Sequence, residues 1–192
     1  ALRRIAEQAE RAGRVINSVH DFVRRRDQAR EAVPAQQLVD AILPLAILQA
    51  RKLGVRVHTM VEPGLPPALC DRTMVEQVLL NLVRNGMQAM PRGDPPAGSG
   101  LRTLSLHVTP VRATLATAAG KRWIEFQVTD HGQGLSDEVA ARLFTPFFTT
   151  KAEGMGLGLS LCRTVIEQHG GALTHEPAQP RGTVFRFTLP AA

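Results

Sequence analysis

The sequence predicts an α+β fold: a two-layer α/β sandwich with helices on one face of a mixed sheet, preceded by a long N-terminal helix. Helical patterns precede most strand patterns, and the strand patterns mostly neighbour each other along the chain, as hairpin strands do. The first 31 residues instead carry apolar side chains at alternating spacings of 3 and 4, which is typical of a helix that packs on another helix.

The N-terminal helix is predicted from a single apolar stripe in a/d heptad positions. Arg, Glu and Gln fill most other positions, and the stripe consists of Leu2, Ile5, Ala9, Ala12, Ile16, Val19 and Val23. Because an isolated helix has nothing on which to bury such a stripe, we expect a partner helix. The alternative is a helix packed on its own domain, but the strict 3.5-residue period favours a bundle or coiled coil.

The next part of the chain predicts two helices with a strand between them. Residues 36–53 have a helical apolar pattern, although Pro44 should bend or interrupt that helix. Residues 55–61 alternate as a strand does, and Asp71 is placed to cap a helix that continues to Met90.

The second half of the chain predicts the remaining strands and two more helices. Short alternating segments mark the strands, and Ser136 and the Gly170-Gly171 pair mark helix ends. The predicted elements are strands at 102–111, 122–129, 171–176 and 182–189, and helices at 137–143 and 157–169.

Composition and charge argue against several classes of function. The formal net charge is +6, but the arginines are spread along the chain and no basic tract alternates with aromatic residues. We therefore expect ATP as the bound anion and no nucleic acid partner, with a basic nucleic-acid binder as the weaker alternative. No apolar run approaches the roughly 18 residues of a membrane-spanning helix. Cys70 and Cys162 form no CxxC motif, which fits a reducing compartment.

The first motif with chemical content is Asp130-x-Gly132-x-Gly134, which directly follows a predicted strand. The glycines let the backbone approach a ligand closely, and the carboxylate can accept a hydrogen bond from an amine such as adenine N6. Taken alone, such a pattern is more often an ordinary Asp-Gly turn.

The second motif is a glycine-rich segment that leads into a helix. It contains Gly154, Gly156, Leu157, Gly158 and Leu159. Free N–H groups at a helix start, together with the positive end of the helix dipole, can bind phosphate. The segment is neither a dinucleotide fingerprint nor a Walker A loop, because the flanking elements and the Gly-Lys-Ser/Thr sequence are absent.

Two further motifs lie on the predicted 71–90 helix and between the two glycine motifs. Asn81 and Asn85 are four residues apart, so their amide oxygens emerge on one helical face and suit Mg²⁺; the alternative is that they cap nearby backbone. The Phe-rich segment 143–151 includes Phe144 and Lys151. It either closes over a nucleotide, with Lys151 reaching a phosphate, or is a hydrophobic loop docked on the core.

In this order the motifs resemble the N, G1, F and G2 boxes of the histidine kinase ATP-binding domain, and Gly182-Thr183 resembles its closing Gly-Thr element. The match covers about residues 34–190. The resemblance implies the Bergerat fold, a catalytic domain over residues 34–192, and binding of ATP and Mg²⁺.

The resemblance also implies roles for individual residues. Asn85 would hold Mg²⁺ and Asn81 would assist near the phosphates. Asp130 would bind the adenine amine, supported by Thr183 and by the glycines that shape its pocket, Gly132 and Gly134. The phosphate loop and lid hinge would be formed by Gly154, Gly156 and Gly158, with Leu157 and Leu159 beside them and with Arg84 and Lys151 as further positive charges.

Asn81 distinguishes branches of this superfamily. The chaperone, gyrase and mismatch-repair ATPases and the serine kinases resemble one another in having Glu at this position, where it acts as a general base. An amide cannot accept that proton, so Asn81 favours transfer to an imidazole. The alternatives are an ATPase that works as a nucleotide-driven conformational switch and a non-catalytic dimerisation scaffold. Gly86 departs from the usual Ala and is expected to loosen the helix near the metal.

Residues 1–32 resemble the second helix of the dimerisation and phosphotransfer bundle, truncated at its start. None of the six histidines has the context of the family's phosphate acceptor, and His20 is the nearest alternative. The acceptor is therefore expected on a histidine-bearing helix outside these 192 residues. That helix would belong either to the same subunit or to a partner subunit. The resemblance further implies a response regulator as partner, a homodimer in the full-length protein and a cytoplasmic location, with attachment of the parent to the inner membrane left open.

Overall fold

The computed structural model describes residues 30–90, 102–111, 122–151 and 154–192. The stripe that predicted an N-terminal helix, from Leu2 to Val23, lies outside these residues. Within them, no helix combines the length and the apolar character needed to cross a membrane. The elements in chain order are β1 (Glu31–Val33), α1 (Ala35–Leu53), β2 (Arg56–Val61), β3 (Ala68–Cys70), α2 (Arg72–Ala89), β4 (Thr103–Pro110), β5 (Trp123–Asp130), α3 (Asp137–Arg142), α4 (Gly158–Gln168), β6 (Leu173–Pro177) and β7 (Thr183–Pro190).

The main sheet is mixed and has the strand order β2-β4-β5-β7-β6. β2 pairs with β4 in parallel, and the other three pairings are antiparallel. Along β4 and β5 every second residue is buried, and the others are half-buried except for the exposed Pro110 at the end of β4. One face of the sheet therefore faces the core, as the sequence predicted.

The helices cover the buried face of this sheet. α1 and α2 pack on each other, α2 contacts β4 and β5, and α4 contacts α2, β6 and β7. At the centre of the core, the rings of Phe126 and Phe187 stack with 4.8 Å between their centroids, and neither side chain is exposed. This arrangement confirms the predicted α+β two-layer sandwich.

α1 runs through Pro44 without interruption, so of the predicted bend or interruption the interruption is wrong. Proline in a helix interior costs about 3 kcal/mol, because it removes a backbone hydrogen bond and crowds the preceding turn. A buried stripe along the opposite side of α1 offsets that cost, and it consists of Leu38, Ile42, Ala46 and Ala50. Tertiary packing thus overrides local propensity here.

α2 begins and ends close to the predicted positions. Asp71 caps its first turn, since Oδ1 accepts a hydrogen bond of 3.0 Å from the backbone N–H of Met74. The buried side of α2 includes Val75, Leu79 and Leu82, which pack into the core. The same helix presents its asparagines on another side, so one element both anchors the core and supplies the site.

A second, two-stranded sheet was not predicted. β1 and β3 pair in antiparallel register, with Glu31 opposite Cys70 and Val33 opposite Ala68. The sequence predicted residues 31 and 32 as part of the N-terminal helix; the structure corrects this, because they lie in β1 and pair with β3. Strands of three residues are too short to show the alternation that reveals longer ones.

Candidate functional site

One cavity of about 590 Å³ lies between α2, the adjacent ends of β5 and β7, and the start of α4. Its volume is in the range of small-molecule sites. Of the fourteen predicted binding residues it is lined by all but Gly132 and Phe144, namely by Asn81, Arg84, Asn85, Asp130, Gly134, Lys151, Gly154, Gly156, Leu157, Gly158, Leu159 and Thr183. Segments far apart in sequence therefore converge on one place, as the motif interpretation requires.

Asp130 forms the acidic end of the cavity. Its side chain is 1% exposed, and Oδ1 accepts a hydrogen bond of 2.8 Å from the backbone N–H of Gly132. Burial raises the pKa of this carboxyl above its usual value of 3.8, while backbone N–H groups of Gly132 and Thr183 act in the opposite direction. Thr183 is the register partner of Asp130 on β7 and is itself buried. The carboxylate is thus held as an acceptor in a poorly solvated place.

Gly132 acts through packing and not as a cavity wall. A Cβ at this position would lie 2.6 Å from the carbonyl oxygen of Ala89 at the end of α2. The missing side chain lets the turn after β5 come against α2, which holds the Asp130 carboxylate beside the helix that carries the asparagines. Gly134 does line the cavity and has a φ of +77°, a conformation that favours glycine.

A positively charged side chain also lines the cavity. Lys151 Nζ donates to Asn85 Oδ1 at 2.9 Å and to Gln88 Oε1 at 2.7 Å. Asn85 and Gln88 are three residues apart on α2, so their side chains lie on one face. Burial, with a contribution from the nearby Arg84 guanidinium, lowers the pKa of Lys151. Two amide oxygens therefore converge on one cation.

Gln88 was not among the predicted site residues, although its spacing from Asn85 could have identified it. The asparagine pair already defines this helical face, and Gln88 lies three residues further along it. Among the described residues, no group of three or more His, Cys, Asp or Glu side chains could hold a metal ion. A cation in this cavity would instead depend on amide oxygens and on oxygens of the ligand.

Asn81 has a different set of partners from Asn85. Its Nδ2 donates to the Sγ of Cys162 on α4 at 3.1 Å, and its amide lies against Gly158. Cys162 is buried, and burial raises the pKa of its thiol to about 12, so the sulfur stays protonated at neutral pH. The two asparagines thus point to separate parts of the cavity wall.

The glycine-rich segment brings a helix start to the cavity. Gly156 has a φ of +68°, and a Cβ there would lie 2.6 Å from the carbonyl oxygen of Phe148. α4 begins at Gly158, and no side chain caps its first turn. N–H groups at such a terminus attract anions, because the helix dipole reinforces their partial positive charge. This end of the cavity suits phosphate.

Phe144 does not line the cavity, in contrast to its predicted role in binding. Its ring packs edge-on to His175, with 5.9 Å between centroids, and the guanidinium of Arg163 lies 5.0 Å from its centre. Phe148, four residues later, lines the cavity instead, with the guanidinium of Arg142 4.5 Å from its ring centre. The Phe-rich segment therefore contributes both a packing residue and a wall residue.

The apolar part of the wall was not predicted. It comes from α3 and from the loops before and after it, and includes Leu135, Val139, Leu143, Phe148 and Met155. Leu135, Val139 and Leu143 are four residues apart, a helical spacing that could have identified them, whereas Phe148 and Met155 follow no such spacing and are brought to the cavity by the fold. They provide a surface on which a flat aromatic group can be buried.

The C-terminal part of the chain matches a known family. A family model described as histidine kinase-, DNA gyrase B-, and HSP90-like ATPase matches residues 70–192. That range contains the cavity-lining residues described above.

Curated relatives match over the full length of the chain. The C4-dicarboxylate transport sensor protein DctS of Rhodobacter capsulatus is 41% identical over 190 residues, which are 99% of this chain and 27% of that protein. The sensor protein FixL of Bradyrhizobium diazoefficiens is 41% identical over 192 residues, which are 100% of this chain and 35% of that protein. The chain thus spans roughly a third of the length of these relatives.

A solved structure has the same fold. The catalytic domain of histidine kinase ThkA is 27% identical and superimposes with a TM-score of 0.67, covering 85% of this chain and 97% of that one.

Proposed function

Because the chain belongs to the family of histidine kinase-, DNA gyrase B-, and HSP90-like ATPases, we propose that it is the catalytic domain of a sensor histidine kinase and transfers the γ-phosphate of ATP to a histidine outside this chain. The observation that carries the proposal is the convergence of Asp130, the asparagines of α2 and the glycine-rich start of α4 on one cavity. Asp130 matches adenine, the amide oxygens of α2 match Mg²⁺, and the start of α4 matches the phosphates.

Asp130 would recognise adenine. Its carboxylate is an acceptor, and the exocyclic amine of adenine is a donor. The apolar residues around it, including Leu135 and Val139, would bury the faces of the base. Because Asp130 is 1% exposed, a hydrogen bond to it is made away from water, where it contributes more to discrimination.

Mg²⁺ fits the part of the cavity lined by Asn85 and Gln88. The ammonium of Lys151 stands in for a metal cation there, since Asn85 Oδ1 and Gln88 Oε1 both bind it. Amide oxygens are hard ligands of the kind Mg²⁺ accepts. Asn85 would hold the ion, with Gln88 as a further oxygen at the same place. When bound, Mg²⁺ would neutralise charge on the phosphate oxygens.

Lys151 and Arg84 would serve the phosphates. Both residues line the cavity near the asparagines. The Lys151 side chain can turn from the amide oxygens to a phosphate oxygen, and its ammonium would then offset charge near the transferred group. The N–H groups at the start of α4 would orient the phosphate chain, with Gly156 allowing the tight backbone path.

The acceptor is proposed to be an imidazole. Asn81 lines the cavity but has no carboxylate with which to take a proton from water or a hydroxyl group. A neutral imidazole is itself a nucleophile and needs no strong base on the nucleotide side. We further propose that the acceptor helix belongs to another part of the full-length protein or to its partner subunit in a homodimer, that a response regulator receives the phosphate, and that the domain works in the cytoplasm.

Calorimetric titration with Mg-ATP, followed by incubation with a separate bundle that carries the acceptor histidine, tests this function. We expect Asn85→Ala to reduce Mg-dependent transfer by at least about 100-fold, because one electrostatic contact near the reacting group has that effect. Gln77→Ala is the matched control, since this amide is exposed on the same helix and does not line the cavity.

Three results would contradict the proposal. Undiminished transfer by Asn85→Ala would remove the metal role of that residue. Steady ATP hydrolysis by the chain alone, without transfer to the bundle, would instead favour a conformational ATPase, and absence of nucleotide binding would favour a scaffold.

A further inference from the structure

We infer that Cys162 is a positioning residue for Asn81: it holds the NH₂ end of the Asn81 amide so that the carbonyl oxygen is left for the nucleotide. The inference rests on the proposed function, because it concerns the same cavity. Cys162 lies outside the sequence motifs and does not itself line the cavity.

The contact joins two helices that are distant in sequence. Nδ2 of Asn81, on α2, donates to Sγ of Cys162, on α4, at 3.1 Å. Asn81 lines the cavity, whereas Cys162 does not and is 4% exposed. The sulfur therefore lies behind the asparagine as seen from the cavity.

Gly158 forms a second contact with the Asn81 amide. It lies four residues before Cys162, on the same face of α4. A Cβ at Gly158 would lie 2.8 Å from Nδ2, 2.9 Å from Oδ1 and 3.2 Å from Cγ of Asn81. The amide plane thus faces a surface that only glycine leaves free, and its rotation is limited on that side while sulfur holds the NH₂ end.

The chemistry of the thiol selects one orientation of the amide. An asparagine side chain has a donor end and an acceptor end of nearly equal size. Sulfur in a buried protonated thiol is a weak acceptor for N–H, and placing it at Nδ2 leaves Oδ1 at the other end. Among the described residues none donates a hydrogen bond to Asn81 Oδ1, so this oxygen is available to a ligand.

A hydroxyl group in the same place would fix the orientation of the Asn81 amide less strongly. Serine donates through O–H to an amide oxygen as readily as it accepts from an amide nitrogen. Cys162→Ser therefore allows the Asn81 amide to turn over, and Cys162→Val fills the space with no acceptor at all. Both changes are expected to misplace the carbonyl oxygen without removing any group that touches the nucleotide.

The experiment compares phosphotransfer to a supplied histidine-bearing bundle for wild type, Cys162→Val and Cys162→Ser. We expect kcat to fall by about tenfold in Cys162→Val and less in Cys162→Ser, with KM for ATP within about twofold of wild type. Cys70→Val is the matched control, because Cys70 is an equally buried free thiol on β3 that does not line the cavity.

A double-mutant cycle separates positioning from packing. If Cys162 acts through Asn81, the Cys162→Val change has little further effect on the residual transfer rate of Asn81→Ala. An equal loss in both backgrounds, or a loss that Cys70→Val reproduces, overturns the inference.

A structural readout covers the case in which Asn81→Ala transfers too slowly to measure. In ¹⁵N spectra, the Asn81 side-chain NH₂ signal, assigned by its disappearance in Asn81→Ala, should move in Cys162→Val and stay in place in Cys70→Val. An unchanged signal overturns the inference. Failure of wild type to bind Mg-ATP or to phosphorylate the bundle would overturn the proposed function, whereas an active wild type with an equally active Cys162→Val would overturn only the role of Cys162.

Discussion

At the scale of single residues, Asp130 opposes stability and supports binding. Burial raises its pKa above the usual 3.8, so ionising this carboxyl costs more free energy in the folded chain than in the unfolded chain. As pH rises above 3.8, the unfolded chain ionises first and the folded state loses relative stability. The backbone N–H groups of Gly132 and Thr183 offset part of this disadvantage. Such opposition between stability and ligand contact is common at binding sites.

Asp130→Asn is therefore expected to separate the two effects. The amide keeps an acceptor for the Gly132 N–H group but is never ionised, so thermal unfolding at pH 7 should occur at the same or a higher temperature than in wild type. ATP affinity should fall by at least about tenfold, because a charged acceptor is lost in a buried place. Calorimetry gives both quantities, and the stability difference should vanish as pH falls toward 3.8. A variant destabilised at pH 7 would contradict this reasoning.

Gly86 illustrates a residue whose role the sequence did not reveal. It was expected to loosen α2 near the metal. A Cβ there would lie 2.5 Å from Cδ1 of Leu104 and 3.3 Å from Cβ of Asp130, and Gly86 is buried. The glycine lets α2 pack closely against β4 and β5, which brings the asparagines near Asp130. Its effect is on helix position, and spacing along one helix carries no information about the sheet below it.

At the scale of elements, α2 was predictable because its signals are local. The Asp71 cap and a 3.6-residue apolar period fix its start and its buried face. α1 was predicted less well, since Pro44 indicates a break when read locally and the buried stripe that overrides it depends on tertiary packing. β1 and β3 were missed because their pairing joins residues far apart in the chain.

Removing the cap should show how much α2 depends on its first turn. Asp71→Ala loses the hydrogen bond from Met74 N–H and is expected to lower the free energy of unfolding by about 1 kcal/mol. Urea denaturation measures this. Asp40→Ala is the control, because Asp40 is exposed on α1 and its bond to Gln36 is a surface pair. Equal effects of the two substitutions would mean that the cap contributes nothing specific.

At the scale of the whole molecule, His169 links the ends of the two helices that build the site. Its Nε2 accepts from the backbone N–H of Asp71 at 2.9 Å, and its Nδ1 lies 2.7 Å from the carbonyl oxygen of Val165. Because Nε2 accepts, Nδ1 carries the proton and donates to that oxygen. The end of α4 is thereby joined to the start of α2 inside the core.

His169→Phe is expected to lower the free energy of unfolding by about 1–3 kcal/mol, because it leaves the buried Asp71 N–H without a partner. It should also weaken ATP binding by a few fold, since α2 and α4 both contribute residues to the cavity wall. Urea denaturation and calorimetry measure the two effects. His58→Phe serves as the control because His58 is exposed on β2, and a comparable loss in that variant would remove the explanation.

The family resemblance and the fold class are confirmed, and most of the candidate site could be predicted because its motifs are short and ordered along the chain. Gln88, Cys162 and Phe148 could not be predicted as readily. Gln88 required a helical face to be extended, Cys162 lies behind another residue, and Phe148 had to be distinguished from Phe144 within one segment. Position in three dimensions, and not residue type, decided each of these cases.

The contact of Lys151 with Asn85 and Gln88 bears on how a metal ion enters the cavity. Without nucleotide, the amide oxygens of Asn85 and Gln88 already bind the ammonium of Lys151. A free metal ion gains little by entering, because it must expel an ammonium that then has no anion to receive it. Once phosphates arrive, the displaced side chain has a destination. The metal ion should therefore enter together with the nucleotide and not bind to the domain ahead of it.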